Sequence, residues 1–191
     1  MRQLFGALAV SCSLAIVSSA RAADCGSLTG RRAASGVVVA AQHFAAEEKI
    51  GADPHPWAAP RAFCRVRARL TPAAGSDIEV EIWLPDAAAG TDMGHETPFG
   101  TITARWAYGH PQKLIDWDYR AIHLTTLFAK EMIRAYYGGA PQRSYFQGCS
   151  DGGREAHGRN GHVGRALAAP ATLRASCAPR LMGRVLACDS R

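Results

Sequence analysis

The sharpest alternation of apolar and polar residues lies between Ser76 and Leu84 and predicts a β-strand. Its apolar side chains share one face, and Glu79, Glu81 and Trp83 share the other. A second alternation, from Phe63 to Leu70, places Arg at every other position and predicts an edge or surface strand. Residues 33–48 leave strand and helix both open.

A helical pattern covers Tyr119 to Tyr137, where apolar residues form two neighbouring faces. Asp116 or Asp118 is the predicted cap, and Gly138 with Gly139 is the predicted end. So wide an apolar surface indicates a helix packed on a sheet. Residues 143–147 then predict a short buried strand, whereas 53–60, 87–94 and 95–111 are predicted to be loop or flexible chain.

Residues 1–23 are typical of an export signal, with Arg2, an apolar run from Leu4 to Val17, and the small-x-small sequence Ala20-Arg21-Ala22. The alternative is a buried N-terminal helix. The apolar run is too short to span a bilayer. We therefore expect a secreted or periplasmic chain that has no membrane association once the signal is removed.

Charge argues against a nucleic-acid partner, although the whole chain carries a formal +6. Residues 24–156 hold 14 Lys and Arg against 15 Asp and Glu, so the main body is nearly neutral. The basic excess lies in the signal and in residues 157–191, a tail dominated by Ala, Arg, Gly and Pro without a sustained apolar period. No nucleic-acid footprint is therefore expected.

The strongest chemical signal is Gly148-Cys149-Ser150-Asp151-Gly152, a G-x-S-x-G motif after a predicted strand and before a predicted helix. A nucleophile elbow needs this context, because a sharp turn lifts the serine hydroxyl towards substrate. The backbone N–H of the next residue, Asp151, then faces the developing oxyanion. The alternative is a glycine-rich turn with a passive serine.

Residues 144–156 (SYFQGCSDGGREA) resemble the elbow of the tannase and feruloyl esterase family, which also includes enzymes that cleave terephthalate monoesters. Residues 63–66, 76–85, 91–95 and 113–123 resemble that family in the same order. The resemblance implies an α/β-hydrolase with Ser150 as nucleophile, Asp151 N–H as an oxyanion donor, no cofactor and a small aromatic ester as substrate. It also implies a structural disulfide between Cys25 and Cys64, and a family partner for Cys149 that this chain lacks.

The chain departs from the family in two places. Only residues 86–90 separate Pro85 from Thr91, where the family has a few tens of residues that supply the second oxyanion N–H. After the elbow, the chain offers only Asp189 as a distant acid, and His157 and His162 both precede it, so the tail contains no triad in the order Ser, acid, His. The Ala, Arg, Gly and Pro bias of residues 157–191 leads to the hypothesis that this tail is out-of-frame sequence and that the chain is a truncated or frameshifted member.

The sequence thus predicts three segments: a signal (1–23), a partial α/β-hydrolase domain (24–156) and an unpatterned basic tail (157–191). The fold class is α/β, an incomplete α/β-hydrolase core without the family's lid and the calcium site in it. Function is predicted as aromatic ester hydrolysis through an acyl-serine, in a chain that is nearly inactive by itself. The alternatives are a non-catalytic secreted fragment and another exported serine acyl hydrolase, such as a polyester depolymerase.

Several other polar residues are not predicted to act in catalysis or metal binding. Asp92 and His95 precede the serine in the chain, and the resemblance makes them structural. His123 is expected to pack or hydrogen-bond on the helix. His43 and Glu47 lie four residues apart, but two ligands make a poor metal site, so no metal is predicted.

Overall fold

A computed structural model describes residues 22–51, 56–84, 88–96, 103–146, 151–156, 171–173 and 186–189. Most of the predicted signal, together with Cys149 and Ser150, lies outside these residues. The strands of the main sheet are β1 (Arg32–Ala33), β2 (Gly36–Phe44), β5 (Phe63–Leu70), β6 (Ile78–Leu84), β7 (Ala88–Thr91), β8 (Arg143–Phe146), β9 (Ala171–Leu173) and β10 (Leu186–Asp189). Their order across the sheet is β1-β2-β5-β6-β7-β10-β8-β9. The two-stranded hairpin β3 (Lys49–Ile50) and β4 (Trp57–Ala58) is separate.

The first half of the sheet is an antiparallel meander in which β5 lies between β2 and β6. The alternation in β6 is confirmed, because its four apolar residues are all buried. The predicted strand Phe63–Leu70 is present as β5, but of the two alternatives, an edge or a surface strand, the edge was wrong. The arginines that suggested an edge stand on one face of an inner strand, where Arg65 pairs with Glu81 at 2.6 Å, and the other face is buried.

Two regions predicted as loop or left open form regular structure. Residues 36–44 form the strand β2, which settles the ambiguity of that region, and residues 88–91 form the short strand β7 beside β6. The stretch 95–111 contains a 3₁₀ turn (Arg105–Ala107), and α1 (Pro111–Ile115) begins at its end. Pairing with β6 explains β7, because small residues can join a ladder that a neighbouring strand offers.

The long predicted helix is present as α2 (Ala121–Tyr137), and Gly138 ends it with a left-handed φ of 75°. Phe128, Met132 and Ile133 of α2 are almost fully buried and belong to the same core as the inward-facing residues of β5 and β6. Packing of this wide apolar surface on the sheet is what the pattern predicted.

The predicted cap of α2 was wrong. Residues Asp116–Arg120 form a single π turn before α2, and no side chain caps the helix. Asp116 is fully buried and receives hydrogen bonds from Ser76 Oγ (2.5 Å) and Arg120 Nε (2.5 Å). A buried carboxylate needs such charged and polar partners, so Asp116 joins the β5–β6 turn to the helix instead of capping it.

The structure contains the disulfide that the resemblance implied. Cys25 and Cys64 are bonded, with their Cα atoms 5.6 Å apart, and both residues are buried. Cys25 lies in a 3₁₀ turn (Cys25–Leu28), and Cys64 lies in β5. The bond therefore ties the N-terminal segment to the centre of the sheet.

Candidate active site

The strand and the helix that flank the predicted elbow are both present. Strand β8 ends at Phe146 and α3 (Asp151–Ala156) begins five residues later. Ser144 and Phe146 of β8 are buried, and Phe146 belongs to the main core, so the motif follows directly on a buried strand. Residues 147–150 lie outside the described chain. The positions of Ser150 and Cys149 thus stay predictions, between a strand and a helix that are both in place.

Asp151 is the first residue of α3, and its side chain is half exposed. Its Oδ1 accepts a hydrogen bond from Arg154 Nε at 2.7 Å. This ion pair holds the carboxylate on the outside of the first turn. An acidic residue in that turn also complements the positive end of the helix.

Arg154 joins the helix after the motif to the chain segment before α2. Its terminal nitrogens donate to the backbone carbonyls of Trp117 (2.9 Å) and Asp118 (3.1 Å). Its guanidinium carbon also lies 3.8 Å from the centre of the Trp117 ring. The planar guanidinium can satisfy all these partners at once because its donors point outward in a fixed fork.

An aromatic row continues from Trp117 towards the turn before α1. The rings of Trp117 and Trp106 are tilted with their centres 6.0 Å apart, and His95 stacks on Trp106 at 3.9 Å. His95 Nδ1 is buried and has no hydrogen-bond partner within the described part of the chain. Stacking is therefore the contact that holds this ring in place.

The turn that carries His95 is built around Asp92. Oδ1 of Asp92 accepts hydrogen bonds from the backbone N–H groups of Gly94 (2.8 Å) and Glu79 (3.0 Å). Burial raises the pKa of Asp92, and these two hydrogen bonds act in the opposite direction. Both partners are backbone groups of the turn and of β6, so Asp92 acts structurally, as the resemblance implied.

Glu155 is a second carboxyl group in α3. Burial, and after it the charge of Asp151, raise the pKa of Glu155 to about 7, although the nearby Arg154 lowers it. This carboxyl group can therefore gain or lose a proton near neutral pH. This group lies in α3, the helix that follows the motif.

The other polar residues that the sequence left aside lie on separate elements. His43 lies exposed in β2, Glu47 lies exposed in the following turn, and His123 lies on α2. No cluster of three or more metal-ligating side chains occurs among the described residues. Within the same residues, no helix has both the length and the apolar character needed to cross a membrane.

Sequence reasoning missed Arg154, Trp117 and Trp106. Arg154 and Trp117 are 37 positions apart in the chain, and a contact over that distance leaves no periodic signal. A partial signal was present, since both residues belong to segments that carry the family resemblance.

The fold of this chain is also found in solved structures. The structure is similar to the crystal structure of feruloyl esterase B from Aspergillus oryzae, with a TM-score of 0.60, 23% identity, and coverage of 69% of this chain and 32% of that one. It is also similar to another esterase from Aspergillus oryzae, with a TM-score of 0.59 and 18% identity. The predicted fold class, a partial α/β-hydrolase core, is confirmed.

Sequence comparison finds a family model that matches part of the chain. Residues 82–159 match the model of the family described as tannase and feruloyl esterase, so the predicted resemblance is confirmed over this stretch. An uncharacterized esterase from Xanthomonas campestris is 35% identical over an alignment of 127 residues, with coverage of 50% of this chain and 22% of that protein. A probable feruloyl esterase B-1 from Aspergillus oryzae is 28% identical over 132 residues, 55% of this chain and 24% of that protein. The chain thus spans about a quarter of the length of these curated relatives.

Proposed function

We propose that this chain carries the nucleophile of an exported serine hydrolase that cleaves esters of aromatic carboxylic acids. The observation that carries the proposal is the arrangement of β8, a four-residue connection containing Ser150, and α3. A nucleophile elbow requires this order of a strand, a short connection in sequence and a helix. The names of the relatives, esterase and feruloyl esterase, support the class of substrate.

In the proposed reaction, Ser150 Oγ attacks the ester carbonyl carbon and its proton passes to a base. The negative charge on the carbonyl oxygen is stabilised by the N–H of Asp151. Collapse of the tetrahedral intermediate releases the alcohol and leaves an acyl-serine, which water then hydrolyses to the free acid and the serine. No cofactor takes part in these steps.

We further propose that the 191-residue polypeptide by itself turns over esters very slowly. A serine hydroxyl is a poor nucleophile without a base, and loss of the histidine from a catalytic triad costs about 10⁶-fold in kcat. In this chain the acid that lies well beyond the motif is Asp189, and no histidine follows it. An oxyanion donor alone preserves only about 10³- to 10⁴-fold over the reaction in water.

The test is covalent capture by a fluorophosphonate probe, in which Ser150 Oγ bonds to phosphorus and fluoride leaves. The wild-type chain, S150A and S35A are compared, because Ser35 is an exposed serine far from the motif in sequence. We expect slow capture in the wild type and in S35A, mapped to Ser150 by mass spectrometry, and none in S150A. Absence of capture in the folded wild type would refute the elbow, and fast hydrolysis of methyl ferulate that depends on Ser150 would refute the low activity.

A further inference from the structure

The short helix that follows the motif cannot hold its own orientation. Helix α3 has six residues, Asp151–Ala156, and isolated helices of this length are not stable in water. Its direction must therefore come from tertiary contacts. That direction matters for the chemistry, because an oxyanion donor acts only when its N–H points at the place where charge develops.

Arg154 supplies such contacts from within α3. It donates to two consecutive backbone carbonyls, those of Trp117 and Asp118, and its guanidinium lies over the ring of Trp117. The same guanidinium pairs with Asp151 at the start of the helix. One side chain thus links the first turn of α3 to a segment 36 or 37 positions earlier in the chain.

The segment that receives Arg154 is itself held firmly. Trp117 and Asp118 lie in the π turn Asp116–Arg120, which shifts the hydrogen-bond ladder of the helix by one residue. Asp116 in this turn is fully buried and bonded to Ser76 and Arg120. The carbonyls that Arg154 contacts are therefore fixed relative to the sheet.

We propose that Arg154 is a positioning residue that sets the orientation of the elbow helix, and with it the N–H of Asp151, by clamping α3 to the Trp117–Asp118 backbone. Arg154 acts through Asp151 and the helix, and it is not itself assigned contact with substrate. The inference rests on the proposed function, since the helix orientation has a catalytic consequence only if Ser150 is the nucleophile.

Two substitutions separate the parts of the clamp. R154M keeps a long apolar stem over Trp117 but removes the charge and all N–H donors. R154K keeps the charge, but a single ammonium cannot reproduce the flat fork that contacts two carbonyls, a carboxylate and a ring. The matched control is R134M, because Arg134 makes the same i,i+3 pair with Glu131 on the exposed side of α2.

The first measurement is the rate of fluorophosphonate capture at Ser150 over a range of probe concentrations, using the full chain. We expect R154M to lower the maximal capture rate by about 10- to 100-fold with little change in the probe concentration for half-saturation, since misplaced groups reduce reactivity by such factors. R154K should fall between R154M and the wild type, and R134M should match the wild type. A merely structural defect would instead lower the fraction of captured protein or the thermal midpoint.

The second measurement does not depend on reactivity. Amide hydrogen exchange in the peptide covering α3 should be faster in R154M than in the wild type, while exchange in α2 stays unchanged. Equal exchange in α3, or capture rates within about twofold in R154M, would overturn the clamp. If the wild type is not captured at all but R154M still loosens α3, the proposed function fails, and the catalytic role of the clamp is overturned with it.

Discussion

Gly94 is the position where a single added methyl group has the most clearly defined consequence. The backbone of Gly94 has a φ of +74°, and a Cβ built there would lie 2.9 Å from Asp116 Cβ and 3.1 Å from Asp116 Oδ2. Asp116 cannot easily move away, because it is fully buried and bonded to Ser76 and Arg120. G94A therefore combines an unfavourable backbone conformation with overpacking.

The expected loss in the free energy of unfolding of G94A is the sum of these two contributions. A residue with a Cβ in the left-handed region costs about 1–2 kcal/mol, and overpacking of a well-packed site costs about 1–3 kcal/mol more. Gly109 provides the matched control, since its φ is +73° and an added Cβ would meet no heavy atom within 4 Å. G109A should show the backbone contribution alone.

The assay is urea unfolding of the wild type, G94A and G109A, followed by tryptophan fluorescence. We expect the free energy of unfolding to fall by about 2–5 kcal/mol in G94A and by about 1–2 kcal/mol in G109A. Equal losses in the two variants would refute the argument that Asp116 crowds Gly94. They would mean that the Asp92–His95 turn can shift away from the π turn.

Three further outcomes are expected. Reduction of the Cys25–Cys64 bond, which links residues 39 positions apart, should lower the free energy of unfolding by about 4 kcal/mol, and a loss below about 1 kcal/mol would contradict the chain-entropy account. Because burial raises the folded-state pKa of Glu155 from 4.5 to about 7, its contribution to stability is fully present below pH 4.5 and lost as the pH rises through 7. Between pH 5 and pH 8, the free energy of unfolding of E155Q should therefore rise relative to that of the wild type by about 1–2 kcal/mol, after allowance for solvent screening. Urea titrations across this range measure the difference, and parallel pH curves for the two proteins would disprove it. D116N should lower the free energy of unfolding by about 3 kcal/mol, because it breaks a buried ion pair. E131Q breaks an exposed ion pair and should lower it by less than about 0.5 kcal/mol, and similar losses in the two variants would contradict the assigned burial.

Local apolar patterns correctly predicted the elements that have one face buried along their whole length. The strict alternation in β6 and the wide apolar surface of α2 each have one side in the core, so the period survives in the sequence. Strand β5 shows where this reasoning fails. Its alternating arginines suggested the solvent-facing side of an edge strand. Two of them instead form ion pairs with Glu81 in β6 and with Asp77 just before β6, and these pairs accommodate arginines on an inner strand.

The sequence by itself determined the family resemblance, the G-x-S-x-G motif and the strand and helix on either side of it, because these depend on residues close together in the chain. Only the tertiary structure decided that Arg154 lies over Trp117, that Asp116 joins Ser76, and that β5 lies between two neighbours. The first two contacts join residues 37 and 40 positions apart, and β5 pairs with β2 past two intervening strands. Chain folding brings such groups together through the packing of whole elements, and no local period records which distant partner each one meets.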